Sequence, residues 1–321
     1  MKFFTGNPAN RPAEVHPDAP QGEPYLAAED LVMAVNLAIF LQRPLLLEGE
    51  AGCGKTRLAA AVACELGYPL YRWNIRSKTR YQEGLYEYDA LLRLHDVNLG
   101  QKLADQQRDG ERPIDPGNVE NYLALKELGK AFTLRDCPAV VLIDEIDKAD
   151  LDFPNDLLTL LEAPYEFRIR ETDTPIRAHH PPIVIITSNK EKGNLPAPFL
   201  RRCVYHYVEF PDQPEQLKRI AEIHFQAQAP SPAQEGATAL PEELVDVAID
   251  RFLEVRNQKG LAKLPGTSEF LDWLRVLAQF GNQAPYPLET LRKATIANLP
   301  YRELLFKLRG DWRQSELSTS P

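Results

Sequence analysis

Eight consecutive residues, Gly49-Glu50-Ala51-Gly52-Cys53-Gly54-Lys55-Thr56, join a glycine-rich turn to a lysine and a threonine. An apolar run, Pro44-Leu45-Leu46-Leu47-Glu48, comes before them, and an alanine-rich stretch follows. The spacing is G-x-x-x-x-G-K-[ST], that of a phosphate-binding loop set between a strand and a helix. Glycines let successive backbone N–H groups curl around phosphate oxygens, and the positive end of the next helix points at them. In such a loop Lys55 neutralises the β- and γ-phosphates, and the Thr56 hydroxyl coordinates Mg²⁺. Nucleotide contacts are therefore expected from Gly49, Glu50, Ala51, Gly52, Cys53, Gly54, Lys55, Thr56 and Arg57.

Three further positions could complete the chemistry. The apolar run 139–143 ends in Asp144-Glu145. Adjacent carboxylates repel each other, and a metal ion with an attacking water gives them work. Asp144 would join Thr56 at the magnesium, and Glu145 would orient and polarise the water. Asn189 ends the apolar run 182–189, where its amide could reach the γ-phosphate or that water. Arg201 and Arg202 precede another apolar run and suit an arginine finger, a guanidinium inserted into a neighbouring subunit's site.

These residues need a scaffold, and the spacing of apolar residues predicts one. Short apolar runs at 44–48, 69–75, 138–144, 182–189 and 204–210 read as buried parallel strands, with helical segments between them. Residues 27–42 have helical periodicity. Two stretches break the alternation: a long insert from Arg76 to Lys130 with a tyrosine-rich start, and 165–178, which reads as a hairpin. Helices are expected at 214–226, 241–258, 267–280 and 289–299. The expected organisation is a flexible segment 1–22, an α/β core 23–211, a helical domain 212–310 and a disordered tail 311–321.

The chain has 321 residues, 44% of them hydrophobic and 26% charged, with a net charge of −9, an ordinary composition for a globular protein. That acidity argues against a non-specific grip on nucleic acid. No apolar stretch has the length of a membrane span, and the start lacks the apolar segment of a signal peptide. Cys53, Cys64, Cys137 and Cys203 have no paired spacing. A cytoplasmic protein with reduced thiols is expected.

With these elements in this order, the chain resembles the AAA+ ATPases, and more closely their MoxR-like branch. The resemblance rests on GEAGCGKT (49–56), VVLIDEIDKAD (140–150), FPNDLLTLLE (153–162), ITSN (186–189), LPAPFLRRCV (195–204) and GLYEYDALLRL (84–94). It implies an AAA+ P-loop core, a five-stranded parallel sheet in 5-1-4-3-2 order between helices, followed by a C-terminal helical lid. It further implies Mg²⁺ and ATP as cofactors and assembly into a homo-oligomeric, hexameric ring. A chaperone-like role on a protein client is implied too, alongside a von Willebrand factor A domain protein. In that picture 165–178 is the pre-sensor-1 hairpin, Asn189 is sensor 1, and Arg202 is the finger with Arg201 beside it. Tyr25 and Leu26 would face adenine. Relatives carry a sensor-2 arginine in a motif resembling Gly-Ala-Ser-Pro-Arg; here the stretch is Gly266-Thr267-Ser268-Glu269-Phe270, and Arg275 is only a fallback.

Other signals carry less. His179-His180 lacks a third ligand at metal spacing, and Lys192 stands where a guanine-reading motif needs aspartate. Tyr81, Tyr86 and Tyr88, near Arg76, Lys78 and Arg80, could stack on bases but more often such rings pack a hairpin. The alternative functions are a nucleic-acid motor using Arg168, Arg170 and Arg177, a small-molecule kinase, and a nucleotide-binding scaffold that never hydrolyses.

Overall fold

The computed structural model describes residues 2–22, 24–105, 117–189, 195–227, 240–280 and 284–317. Helix α1 (Glu29–Leu41) carries Glu29 and Asp30 in its first turn, where the helix dipole favours acids. Strand β1 (Leu45–Gly49) follows and is buried along its whole length. Next come α2 (Lys55–Leu66) and β2 (Leu70–Asn74). The insert contributes β3 (Tyr86–Tyr88), α3 (Ala90–Asp105) and β4 (Leu123–Leu125), with β3 and β4 paired antiparallel. Beyond it lie α4 (Glu127–Thr133), β5 (Val140–Asp144) and α5 (Phe153–Leu161). The hairpin β6 (Glu166–Ile169) and β7 (Thr174–Arg177) is where it was expected. Then come β8 (Ile183–Ser188), the short α6 (Ala197–Leu200) and β9 (Val204–Val208).

Five strands form one parallel sheet in the order β2-β5-β8-β1-β9. Numbered among themselves, that is the 5-1-4-3-2 arrangement. Successive side chains alternate faces. Leu46, Val141, Ile143, Val184 and Ile186 pack on one face with Trp73, Phe132, Phe153 and Phe199. Leu45, Leu47, Val140, Leu142 and Ile185 pack on the other, against α1 and α2. Both faces are covered, so the strands are apolar throughout rather than alternating.

A third core belongs to the C-terminal helices, α7 (Pro214–Ala227), α8 (Glu242–Arg256), α9 (Thr267–Gln279), α10 (Leu288–Lys293) and α11 (Arg309–Leu317). Phe252, Phe270 and Trp273 are fully buried in it. The Trp273 indole donates to the Pro300 carbonyl at 2.7 Å.

Three segments differ from expectation. The start of the chain, expected to be flexible, lies against α1 and α2. Phe4 is buried, its N–H and carbonyl bond the Asn36 amide, and the Thr5 N–H and hydroxyl donate to the buried Glu65. Residues 311–317 are helical rather than a disordered tail, because the buried Asp311 carboxylate accepts the Ala262 and Lys263 N–H groups. The helix expected at 289–299 stops at Lys293, because the Thr295 N–H and hydroxyl turn to the Asn298 side chain and a 3₁₀ turn, Ile296–Asn298, follows.

Candidate functional site

All five strands run the same way, so the C-terminal ends of β1, β5 and β8 open on one edge of the sheet. The loop 49–56 begins there. Gly54 caps α2 with φ 93°, a backbone angle that a side chain would strain. Lys55 is only 5% exposed, and its ammonium donates to the carbonyls of Gly49 (2.9 Å) and Glu50 (2.7 Å). It is thereby held across the mouth of the loop. The N–H groups of Cys53 and Lys55 bond the Cys53 sulfur. Burial pushes the Cys53 thiol up despite the opposing pull of Lys55, which keeps it neutral beside the lysine. The Tyr25 ring stands against the loop, where a Cβ on Gly54 would meet it at 3.4 Å. Burial drives its phenol well above the usual range, and Cys53 adds to the effect while Arg57 opposes it. Leu26 is half-buried beside it in the chain.

Thr56 and Asp144 meet directly: the hydroxyl lies 3.0 and 3.3 Å from the two carboxylate oxygens. Thr187 on β8 adds a second hydroxyl, which donates to Asp144 at 2.5 Å and accepts the Glu145 N–H at 2.9 Å. Glu145 itself adopts a left-handed conformation, φ 61° and ψ 51°. Such a backbone costs a non-glycine residue free energy and needs outside support. The turn aims the Glu145 carboxylate at Lys148, with which it pairs, and at the Asn189 amide 3.5 Å away. The Asn189 N–H in turn donates to the buried Asp147 at 3.1 Å. Lys55, Thr56, Asp144, Glu145 and Asn189 are thus gathered at one edge. A hydroxyl beside a carboxylate is an all-oxygen donor set, and Mg²⁺ takes one or two carboxylates while keeping several waters. These residues fit a magnesium–nucleotide complex.

Arg201 and Arg202 are not brought to this edge. β9 pairs with β1 in the register Leu45↔Val204 to Gly49↔Val208, so the arginines stand at the opposite end of the sheet. Four residues of strand are about 13 Å. Both are exposed, and Arg202 Nε pairs with Glu162 at 2.7 Å.

The helical domain touches the loop by backbone. Thr267 N–H donates to the Gly52 carbonyl at 3.1 Å, and a Cβ on Gly52 (φ 80°) would lie 3.0 Å from Gly266 Cα. Phe270, where the resemblance would have placed a sensor-2 arginine, is buried among the C-terminal helices. Arg275 is exposed two turns into α9, whereas Gly266 and Thr267 are the residues against the loop. Arg57, expected at the nucleotide, has Nη1 3.4 Å from His224 Nδ1 on α7.

Thr187, Lys148 and Arg256 escaped the reading of the sequence. Thr187 could have been found, since a hydroxyl inside an apolar strand must meet a polar partner. Arg256 pairs with Glu50 across 206 positions and left no local signal.

The remaining signals are spoken for locally. Tyr86 stacks on Phe167 with ring centres 6.2 Å apart, and its hydroxyl accepts the Arg170 N–H. Arg168 pairs with Asp173 at 2.9 Å, and His180 lies 2.9 Å from the Arg135 carbonyl. Lys192 is outside the described residues. Among the described residues no helix is long and apolar enough to cross a membrane.

Residues 44–203 match the family described as AAA domain (dynein-related subfamily). The matched segment holds the phosphate loop, the Asp144-Glu145 pair, Asn189 and the two arginines. Four of its strands, β1, β2, β5 and β8, form with β9 the parallel sheet described above. The fold is therefore that of an AAA domain, a parallel five-stranded sheet between helices, followed by a bundle of helices.

Proposed function

We propose that the protein is a MoxR-like Mg²⁺·ATP hydrolase that works in the cytoplasm as a hexameric ring and remodels a protein client, in particular a von Willebrand factor A domain protein. The observation that carries the hydrolytic part is the convergence of Thr56, Asp144, Glu145 and Asn189 within hydrogen-bond reach at the mouth of the Lys55 loop. Lys55 and the loop amides bind the phosphates. Thr56 and Asp144 hold the metal, and Glu145, steadied by Asn189, orients the water. A Mg²⁺ held by Thr56 and Asp144 would supply positive charge to stabilise the phosphate oxygens during hydrolysis. Arg202, with Arg201 beside it, lies about 13 Å of strand from its own loop, which favours service to a neighbour's site. The MoxR-like assignment and its client rest on the motifs at 84–94, 140–150, 153–162 and 195–204. Of the three hairpin arginines that a nucleic-acid motor would use, Arg168, Arg170 and Arg177, Arg168 pairs with the exposed Asp173.

Purified full-length protein should bind and turn over Mg²⁺·ATP without an added phosphate acceptor. Lys55→Ala should lose nucleotide binding, and Glu145→Gln should retain ATP without turning it over. A wild-type protein indifferent to Mg²⁺·ATP, or undiminished turnover in Glu145→Gln, would remove the proposal. A pull-down on the Glu145→Gln protein charged with ATP tests the client.

A further inference from the structure

Arg256, the last residue of α8, sits where three parts of the chain meet. Its side chain is only 10% exposed. Nη2 pairs with the Glu50 carboxylate of the phosphate loop at 2.7 Å, and Nη1 donates to the Pro265 carbonyl at 2.5 Å. The guanidinium carbon lies 3.4 Å from the centre of the Phe210 ring. Phe210 belongs to the connection between β9 and α7, and Pro265 leads into Gly266 and Thr267, the residues that touch Gly52. One planar group therefore ties the loop, the hinge and the start of α9 together. A guanidinium can fork to two acceptors while stacking on a ring, which an ammonium cannot reproduce. Isolated surface ion pairs contribute little; here the Glu50 end is 43% exposed, but the arginine is mostly buried, stacked and doubly bonded. Glu50 carries the link onward, because its own carbonyl accepts the Lys55 ammonium at 2.7 Å. Lid and phosphate-binding lysine are thus one residue apart.

We infer that Arg256 is a positioning residue that latches the helical lid onto the phosphate loop through Glu50, so that lid placement and nucleotide affinity are set together. It does this without touching phosphate. In this chain the lid grips the loop's own carboxylate. The consequence for affinity rests on the proposed ATP site; the latch itself does not.

Amide hydrogen exchange on the full chain tests it, with Arg256→Gln, Glu50→Gln, the double variant and Arg256→Lys. Each glutamine variant should speed exchange in peptides covering 49–56 and 262–270 by about fivefold, and the double variant should go no further, as for two residues in one interaction. Peptides from β5 should be unchanged, and Arg256→Lys should recover part of the protection. The dissociation constant for Mg²⁺·ATP should rise by a similar factor of about five in both single variants. The latch is overturned if Glu50→Gln behaves as wild type while Arg256→Gln merely destabilises the whole chain, or if the two effects add. Should Arg256→Gln fail to fold, the isosteric Glu50→Gln decides alone. If wild type does not bind Mg²⁺·ATP, the ATP site is wrong, and the exchange comparison still decides the latch.

Discussion

Thr187 has a single hydroxyl, and both of its hydrogen-bonding capacities fall on the acidic pair: it donates to Asp144 and accepts from the Glu145 backbone. The second contact supports a left-handed residue that would otherwise relax, and relaxation would turn the carboxylate away from Asn189. Thr187→Val keeps the shape and deletes the hydroxyl. It should lower kcat about tenfold with KM for ATP within about twofold, the size expected for one lost orienting hydrogen bond. Thr187→Ser should restore most of the rate. A rise in KM at constant kcat would mean that Thr187 serves binding instead. Lys55, Thr56, Asp144 and Glu145 were legible in sequence because each belongs to a short pattern whose chemistry is local. Thr187 was signalled only as a buried hydroxyl needing a partner, but which partner depends on the register that sets β8 beside β5.

At the scale of elements, the five sheet strands were legible because burial on both faces leaves unbroken apolar runs. Helices α7, α8 and α9 were legible from their one-sided periodicity and lie within two residues of the predicted spans. The docked N-terminal segment was not, because it is held by a few specific bonds to Asn36 and Glu65 that leave no periodic trace. Its anchor can be tested. Phe4→Ala should cost about 3 kcal/mol, the usual scale for emptying a buried aromatic site, and should lower the denaturant midpoint at an unchanged slope. A loss below about 1 kcal/mol would mean that the segment adds little to the core. The interrupted helix around Thr295 taught a similar lesson, because one asparagine side chain redirects a segment whose apolar spacing is helical.

At the scale of the molecule, the residues of the proposed site are divided between two edges of one sheet. The loop, metal and water residues occupy one edge, and Arg201 and Arg202 occupy the other. A single chain cannot bring them together without unpairing β9 from β1, so a second chain must supply the finger if Arg202 is one. Mixing two inactive variants tests this most directly. Arg202→Ala keeps the loop and water machinery but should lose turnover by roughly 10³-fold, whereas Glu145→Gln keeps the finger but not the water residue. In the proposed ring, mixed assemblies would contain interfaces where an intact Glu145 faces an intact Arg202, so ATP turnover should reappear on mixing and peak near equal amounts. If the two variants co-assemble and turnover stays at the level of the separate proteins at every ratio, the account of a site shared between subunits is wrong.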